Sequence, residues 1–224
     1  MGDTASAADL LRWSEALAGV ARTGLGFSEN LYERERFEEV LRVAADMRVA
    51  AGHELAGEAL AGEWMKAVAN GVPGYVTPKV AVGAVVGNDD GELLLVQRAD
   101  SGLWLYPTGW ADVGYSASEV AVKEVREETG IDADPVRLIA VLDGLRLGFT
   151  AVPLYSLVFH CRAVGGELRS HPLECRSAGW FSEDALPSPL LGAARWQALA
   201  FAAIRGEEIE VLFDPPRRPP WREG

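Results

Sequence analysis

Hydrophobic residues recur at helical spacing through the first 72 residues of the chain. A first amphipathic helix is predicted around Leu10 to Ala21, and a second is predicted to begin at a capping residue, Ser28 or Asn30. A third is predicted over about 54–69. The inner faces of the second helix are expected to carry Tyr32, Phe37, Val40, Leu41, Val43, Ala44 and Met47. The pattern therefore predicts a small helical N-terminal domain over residues 1–72.

After residue 72 the pattern changes to short apolar runs separated by glycine-rich turns. The runs at 79–86 and 92–97 are predicted to be two strands that are joined by a hairpin turn. Further strands are predicted near 103–106, 137–142, 152–161 and 178–181, and a final helix over 190–204. This mixture predicts an α/β domain over 73–213, and the pattern alone leaves its topology open. A proline-rich tail over 214–224 is expected to be extended.

One stretch, residues 117–129, combines a helical pattern with clear start and stop signals. Ser116 and Glu119 have the spacing of a capping box, and Gly130 suits the C-terminal end. At 100° per residue, one broad apolar arc is formed by Ala117, Val120, Ala121, Val122 and Val125. The stretch is therefore predicted to be an amphipathic helix with its apolar side packed on the domain.

Acidic residues of this helix fall on or beside its apolar side. Glu124 and Glu128 lie within the arc or at its margin, and Glu127 lies just beyond its edge. The opposite, solvated side is predicted to carry Glu119, Lys123 and Arg126. The ordinary alternative is a solvated run of charges. Carboxylates four residues apart repel each other, however, and burial raises the cost. A hard divalent cation with oxygen ligands would hold them together.

The segment from Gly109 to Ile131 resembles the Nudix box, in which a glycine precedes a helix with spaced glutamates. The matching positions are Gly109, Glu124, Val125, Glu127, Glu128, Gly130 and Ile131. Tyr115 stands where the family usually has glutamate, and Lys123 stands where it has arginine, so a bidentate fork is lost. The resemblance implies a Nudix α/β/α sandwich with a mixed sheet. It also implies an enzyme that hydrolyses a nucleoside diphosphate linked to another moiety.

The resemblance further implies which residues carry the reaction. Glu124, Glu127 and Glu128 correspond to the carboxylates that hold metal in the family, here Mg²⁺ or Mn²⁺. Glu174 resembles a further carboxylate that these enzymes recruit from outside the box as a base or ligand. The alternative for Glu174 is an exposed loop acid.

Four residues are candidates for contacts with the substrate. They are Arg98, Gly109, Trp110 and Tyr115. Arg98 follows a predicted strand and could reach a phosphate. A glycine lets the backbone approach a ligand closely. Tyr115 either stacks on a base or sugar or fills the space of the replaced glutamate.

The N-terminal helices resemble an extension that is found in one subset of Nudix hydrolases. The resemblance lies in YERERFEEVLRVAADM and the following GYVTPKV. In that subset the extension is associated with dimerisation, so a homodimer is expected. Similar enzymes act on ADP-ribose or CDP-choline. Two alternatives stay open, namely a Nudix-fold nucleotide sensor without hydrolysis, and a pyrophosphohydrolase for nucleoside triphosphates or capped RNA.

Charge and hydropathy narrow the range of partners. The formal net charge of −12 over 224 residues argues against nucleic-acid binding. No apolar run reaches the length of a membrane span, and the N-terminus lacks the basic region of a secretory signal. A cytoplasmic enzyme without a membrane partner is therefore expected. Cys161 and Cys175 lack CxxC spacing and are predicted to be buried free thiols.

Overall fold

Three helices make up the described N-terminal part of the chain. The computed structural model describes residues 5–52, 57–69, 77–112, 114–148, 150 and 152–216. The helices are α1 (Ala7–Phe27), α2 (Leu31–Ala50) and α3 (Gly57–Ala69). Asn30 caps α2 by accepting from the backbone N–H groups of Tyr32 and Glu33. Of the two caps that the sequence offered for this helix, Asn30 is therefore the one used.

Small residues let the first two helices pack closely. Their buried core consists of Ala18, Ala21, Leu25, Leu41 and Ala44. The prediction that Tyr32 and Val43 face inward is wrong, because these side chains are 78% and 47% exposed. Helix α2 turns Leu41, Ala44 and Ala45 inward, and the predicted Phe37 and Val40 are half-buried against the core of α1 and α2.

The second part of the chain is built on one mixed sheet of eight strands. They are β1 (Lys79–Gly87), β2 (Leu93–Arg98), β3 (Trp104–Leu105), β4 (Thr108–Trp110), β5 (Ile131–Asp143), β6 (Leu154–Gly166), β7 (Cys175–Phe181) and β8 (Leu212–Phe213). The main order is β3-β2-β1-β6-β5-β8, with β4 paired to β1 and β7 paired to β2. The β1–β6 and β5–β8 pairs are parallel and the other pairs are antiparallel.

Two helices pack against separate hydrophobic clusters of this sheet. Helix α4 (Ala117–Thr129) contributes Val120, Ala121 and Val125 to one cluster. Helix α5 (Ala193–Ile204) contributes Trp196, Ala200, Phe201 and Ala203 to the other. Along β1 the residues alternate between the clusters, so the helices cover opposite faces. The predicted α/β/α sandwich with a mixed sheet is confirmed.

Several strands differ from the predicted ones in extent and partner. Strands β1 and β2 meet at the register pair Gly87 and Leu93, and farther along β1 the partner is β4, which pairs with residues 81–83. The predicted hairpin therefore opens after its turn. Strand β5 begins at Ile131, directly after the helix, rather than near residue 137. Cys161 and Cys175 are buried free cysteines, as predicted.

The chain divides into two compact units. One comprises Met1–Pro78 with Thr150–Pro153, and the other comprises Lys79–Phe149 with Leu154–Gly224. The expected boundary at 72 and 73, the expected start of the third helix near 54, and residues 217–224 of the tail lie outside the described residues. In the described part of the chain, no helix is both long and apolar enough to cross a membrane.

Candidate active site

Helix α4 forms where the local sequence signals place it. The Ser116 hydroxyl accepts from the Glu119 N–H while the Glu119 carboxylate accepts from the Ser116 N–H, which completes the capping box. Gly130 ends the helix in the left-handed region, with φ of 73°. Both helix-end predictions are confirmed. These ends fix which α4 side chains face the sheet and which face the loop before the helix.

Strand β4 lies beside this helix and is anchored to the centre of the sheet. Gly109 pairs with Val82 of β1 in antiparallel register. The Thr108 hydroxyl donates to the Val82 carbonyl over 2.9 Å. The strand thereby presents its backbone to the acidic side of α4.

Glu128 is the most buried acid of the candidate site. Its side chain is on the sheet side of α4, and the residue is only 3% exposed. The backbone N–H of Thr108 donates to Glu128 Oε2 over 3.0 Å. Burial raises the pKa of Glu128 to about 8, and the charges of Glu124 and Glu174 act in the same direction. The carboxylate is thus oriented by the strand but is costly to ionise.

Glu124 lies against Gly109 of strand β4. A Cβ atom added to Gly109 would overlap the Glu124 carboxyl group. Gly109 was expected to admit a ligand, and in the structure its open face admits this carboxylate. Burial raises the pKa of Glu124, and the charges of Glu127, Glu174 and Asp112 add to that shift.

Glu127 is more exposed and is held by a lysine. Lys123 Nζ lies 2.8 Å from Glu127 Oε2, 3.3 Å from Asp112 Oδ2 and 3.9 Å from Glu124 Oε1. The Lys123 side chain is partly exposed on the predicted solvated side, but its ammonium is turned toward these acids. Three carboxylates attract its ammonium, and its flexible stem lets it lie among them.

The loop after β6 brings a fourth acid within electrostatic reach. The His171 N–H donates to the Glu128 carbonyl over 3.0 Å, which joins this loop to the end of α4. Glu174 is exposed, and its N–H donates to His171 Nδ1 over 3.3 Å. Its charge contributes to the raised pKa of both Glu124 and Glu128. Both readings of Glu174, reactive carboxylate and exposed loop acid, agree with this location.

Arg98 ends strand β2 near the buried acids. Its guanidinium donates twice to Asp100, over 3.1 Å to Oδ1 and 2.8 Å to Oδ2. This pairing holds the pKa of Asp100 well below its usual range. The charge of Arg98 also opposes the rise in the pKa of Glu128. A phosphate that binds Arg98 would therefore compete with Asp100.

The two aromatic candidates are both open to solvent. Trp110 is 50% exposed, and Lys79 Nζ lies 5.2 Å from the centroid of its ring. Tyr115 is 55% exposed, so its ring does not fill a buried space. Both remain candidates for stacking on a substrate.

Comparison with models of protein families shows which family the chain belongs to. A model of the NUDIX domain matches residues 77–203. The chain belongs to the Nudix hydrolase family. A second model, described as the UDP-X-like N-terminal oligomerisation domain, matches residues 8–60. The predicted Nudix family and its helical N-terminal extension are confirmed.

Individual relatives agree with this assignment over most of the chain. A Bacillus subtilis (strain 168) protein, provisionally named an ADP-ribose pyrophosphatase, is 32% identical over 208 residues, which cover 91% of this chain and 96% of that protein. A solved ADP-ribose pyrophosphatase from Streptococcus suis 89-1591 is 38% identical with a TM-score of 0.54, covering 62% of this chain and all of that one. A solved UDP-X diphosphatase is 27% identical with a TM-score of 0.53, covering 94% of this chain and all of that one.

The acids of the Nudix helix fit a divalent cation in their chemistry. Glu124 and Glu128 offer carboxylate oxygens, which Mg²⁺ and Mn²⁺ prefer, and both have raised pKa values that a nearby cation would reverse. Within the described ranges, no three histidine, cysteine, aspartate or glutamate side chains converge into a ready metal site. Glu127 is directed to Lys123 instead. In this arrangement it is not gathered with the other two acids.

Sequence reasoning missed three groups that shape the Nudix site. The Thr108 N–H binds Glu128, Asp112 binds Lys123, and Asp100 binds Arg98. The first is a backbone group, and no side-chain motif marks it. Asp112 could have been found from the sequence, because Lys123 in an acidic helix calls for a counter-ion nearby.

Proposed function

We propose that this Nudix hydrolase is a divalent-metal-dependent pyrophosphohydrolase. It cleaves the phosphoanhydride of a nucleoside diphosphate that is linked to a second moiety. Glu124, Glu127 and Glu128 would hold Mg²⁺ or Mn²⁺. Glu174 is the candidate for the base or for a further ligand, and Arg98 is the candidate for a phosphate contact.

The observation that carries this proposal is the pair of buried carboxylates on one side of α4. Glu128 is 3% exposed with a pKa raised to about 8, and Glu124 shares the direction of that shift. Such a pair is unfavourable as two free anions, because burial and mutual repulsion both oppose ionisation. A divalent ion would offset both the burial and the repulsion of the two carboxylates. A diphosphate substrate also needs such an ion for binding.

The chain's own residues have separable tasks in this reaction. The Thr108 N–H and the open face of Gly109 orient Glu128 and Glu124. A divalent ion, when bound, supplies charge neutralisation and lowers the pKa of a water molecule. An acidic side chain accepts the water proton, with Glu174 as the candidate. The water oxygen bonds to one phosphorus and the bridging P–O bond breaks, giving a nucleoside monophosphate and a phosphorylated second moiety.

The names of the relatives support a substrate class rather than a single compound. Two carry the name ADP-ribose pyrophosphatase, and one is a UDP-X diphosphatase. A nucleoside diphosphate linked to a second group is common to both descriptions. The exposed Trp110 and Tyr115 would supply stacking surfaces for the base.

A panel of nucleotides tests the proposed reaction directly. The full-length protein is incubated with ADP-ribose, UDP-glucose, CDP-choline, NADH, the common triphosphates and capped RNA, with Mg²⁺ or Mn²⁺ or with chelator. We expect metal-dependent cleavage of one diphosphate compound well above the others. Thermal stabilisation by a nucleotide without any cleavage would favour the sensor alternative. Preferred cleavage of a triphosphate or a cap would favour the third possibility.

Substitutions at the acids connect that activity to the site. Glu128→Gln should lower turnover by roughly a hundredfold or more while the protein stays folded, because a buried metal-binding carboxylate is lost. If Glu174 accepts the proton, Glu174→Gln should lower kcat more than it changes KM. Glu208→Gln, at an exposed position, is the matched control and should retain the wild-type rate. A wild-type rate for Glu128→Gln would contradict the proposed function.

We further infer that the helical N-terminal unit forms a homodimer. This unit matches an oligomerisation domain, and α1 and α2 expose large apolar side chains. They are Val20, Phe27, Leu31, Tyr32, Val43 and Val49. Light scattering at micromolar concentration should give twice the chain mass, and Val20→Asp should shift it toward the monomer. A monomeric wild-type protein would refute the inference.

A further inference from the structure

Lys123 occupies the centre of a group of three carboxylates beside the Nudix helix. Its Nζ atom lies 2.8 Å from Glu127 Oε2, 3.3 Å from Asp112 Oδ2 and 3.9 Å from Glu124 Oε1. Its hydrogen bond to Glu127 and its further acidic neighbours raise the pKa of Lys123. The side chain is therefore a fixed positive charge next to two acids that would also bind a metal ion.

This arrangement places the ammonium in competition with the cation for Glu127. Two of the three carboxylates belong to the same helix as the lysine, and both would be needed by a divalent ion. If Glu127 turned to the ion, Lys123 would lose its nearest counter-ion while facing a doubly charged neighbour. Such a change is easier when another anion keeps the ammonium in place.

Asp112 is the acid that is free of this conflict. It lies between β4 and α4, outside the helix, and its carboxylate already contacts Lys123. Its backbone is fixed on both sides, because the Ala111 N–H donates to the Val80 carbonyl and the Asp112 carbonyl accepts from the Tyr115 N–H. No backbone movement is needed for Asp112 to become the main partner of the lysine.

We propose that Asp112 is a positioning residue, which retains the Lys123 ammonium and thereby frees Glu127 for the metal ion. The proposal rests on the proposed function, since it assumes that Glu127 binds a divalent cation. It assigns to Asp112 a role that operates through Lys123 and not through contact with the substrate. Loss of Asp112 leaves Glu127 as the nearest partner of the lysine and so weakens metal binding.

The primary test measures the binding of Mn²⁺ alone to the full-length protein, by calorimetry or by electron paramagnetic resonance. Asp112→Asn should weaken Mn²⁺ binding by about tenfold, the lower end of what supporting residues around metal sites contribute. Asp112→Glu keeps the charge and should stay within about threefold of wild type. Asp89→Asn, in the turn between β1 and β2, removes one charge elsewhere and should leave the affinity unchanged.

The Asp112→Asn substitution in a Lys123→Gln protein separates a positioning role from a general effect of negative charge. Removing any nearby anion weakens the binding of a cation, whether or not a lysine is involved. In a Lys123→Gln protein there is no ammonium to retain, so Asp112→Asn should change Mn²⁺ affinity less than twofold. A tenfold loss in this background as well would reduce Asp112 to a distant charge and overturn the proposal.

The outcomes also separate this proposal from the one on which it rests. If wild type binds Mn²⁺ and hydrolyses its substrate but Asp112→Asn binds equally well, only the positioning role is overturned. If wild type binds no Mn²⁺, the proposed metal-dependent function is contradicted together with it. Thermal unfolding of each variant checks that the folded protein is compared. Because the Asp112 side chain is exposed, its substitution should not prevent folding.

Discussion

Two buried glutamates, one in each unit, have different partners. Glu15 of helix α1 is 7% exposed and forms an ion pair with the buried Arg48 of α2. The Arg48 guanidinium also lies 5.9 Å from the centroid of the Trp64 ring. Glu128 of helix α4 is 3% exposed and accepts one N–H from Thr108. Among the described residues, no lysine or arginine forms an ion pair with it.

This difference separates a carboxylate whose charge the fold offsets from one that the fold only orients. A buried carboxylate is strongly unfavourable unless a partner neutralises it. In the helical unit the protein supplies that partner, and the ion pair ties α1 to α2. In the Nudix unit a backbone N–H orients the carboxylate and no described residue offsets its charge in an ion pair, so burial raises the pKa of Glu128 to about 8. The Nudix site therefore carries an electrostatic cost that the helical unit avoids.

The largest expected effect comes from breaking the neutralised pair. Arg48→Met should lower the free energy of unfolding of the helical unit by about 3–5 kcal/mol, since Glu15 would stay buried without its cation. The combined Glu15→Leu and Arg48→Met protein should recover much of this loss, because two apolar side chains need no neutralisation. Denaturant unfolding measures both. Equal stability of the single and double variants would show that the pair is not the source of the effect.

Gly109→Ala tests how strand β4 orients Glu124 in the Nudix unit. The new Cβ atom would displace the flexible end of Glu124, so turnover should fall by roughly tenfold to a hundredfold with little change in stability. Steady-state kinetics with metal in excess measure this. Glu124→Gln in the Gly109→Ala background should add little, since the displaced carboxylate has already lost its role. Gly62→Ala, where a Cβ meets open space, is the control.

The smallest effects should be equal in the two units. Ser116 caps α4 and Asn30 caps α2, each through its side-chain oxygen. Ser116→Ala and Asn30→Ala should each lower the free energy of unfolding by about 1 kcal/mol. Thermal or denaturant unfolding checks this. A much larger loss at one cap would mean that the units differ in local helix stability as well as in buried charge.

The sequence predicts best what is decided locally. The ends of α4 follow from Ser116, Glu119 and Gly130, and the burial of Glu128 follows from helical periodicity. Both depend on residues within a few positions of each other. The sandwich architecture came from the resemblance to the Nudix family and not from periodicity.

Groups that meet across the fold were beyond sequence reasoning. Strand β7 was predicted, but it pairs with β2 across about 80 residues and nothing in its own sequence names that partner. Strand β8 is only two residues long, which is too short for a periodic signal. The contacts of the Lys123 ammonium were not predicted, because a helical wheel fixes the direction of Cβ and not that of a long, flexible stem. The Thr108 N–H is part of every peptide chain, and only the pairing of β4 with β1 aims it at Glu128.

The most direct test of the account compares the stability of wild type and Glu128→Gln between pH 5 and pH 8, first in chelator. The folded pKa of Glu128, about 8, lies above the value near 4.3 that is usual for an unfolded chain. The folded state therefore binds the extra proton in this range, and its contribution to stability is lost as the pH rises through 8. Glu128→Gln has no such loss. Its free energy of unfolding should exceed that of metal-free wild type by roughly 2–5 kcal/mol at pH 8 and should be close to it near pH 5.

Addition of Mn²⁺ at pH 8 completes this measurement. Wild type should regain stability as the cation neutralises Glu128, whereas Glu128→Gln should respond only weakly. We expect the metal ion to reverse the order of stability of the two proteins. If metal-free Glu128→Gln is no more stable than wild type at pH 8, and Mn²⁺ stabilises both equally, Glu128 is not a carboxylate kept for a cation.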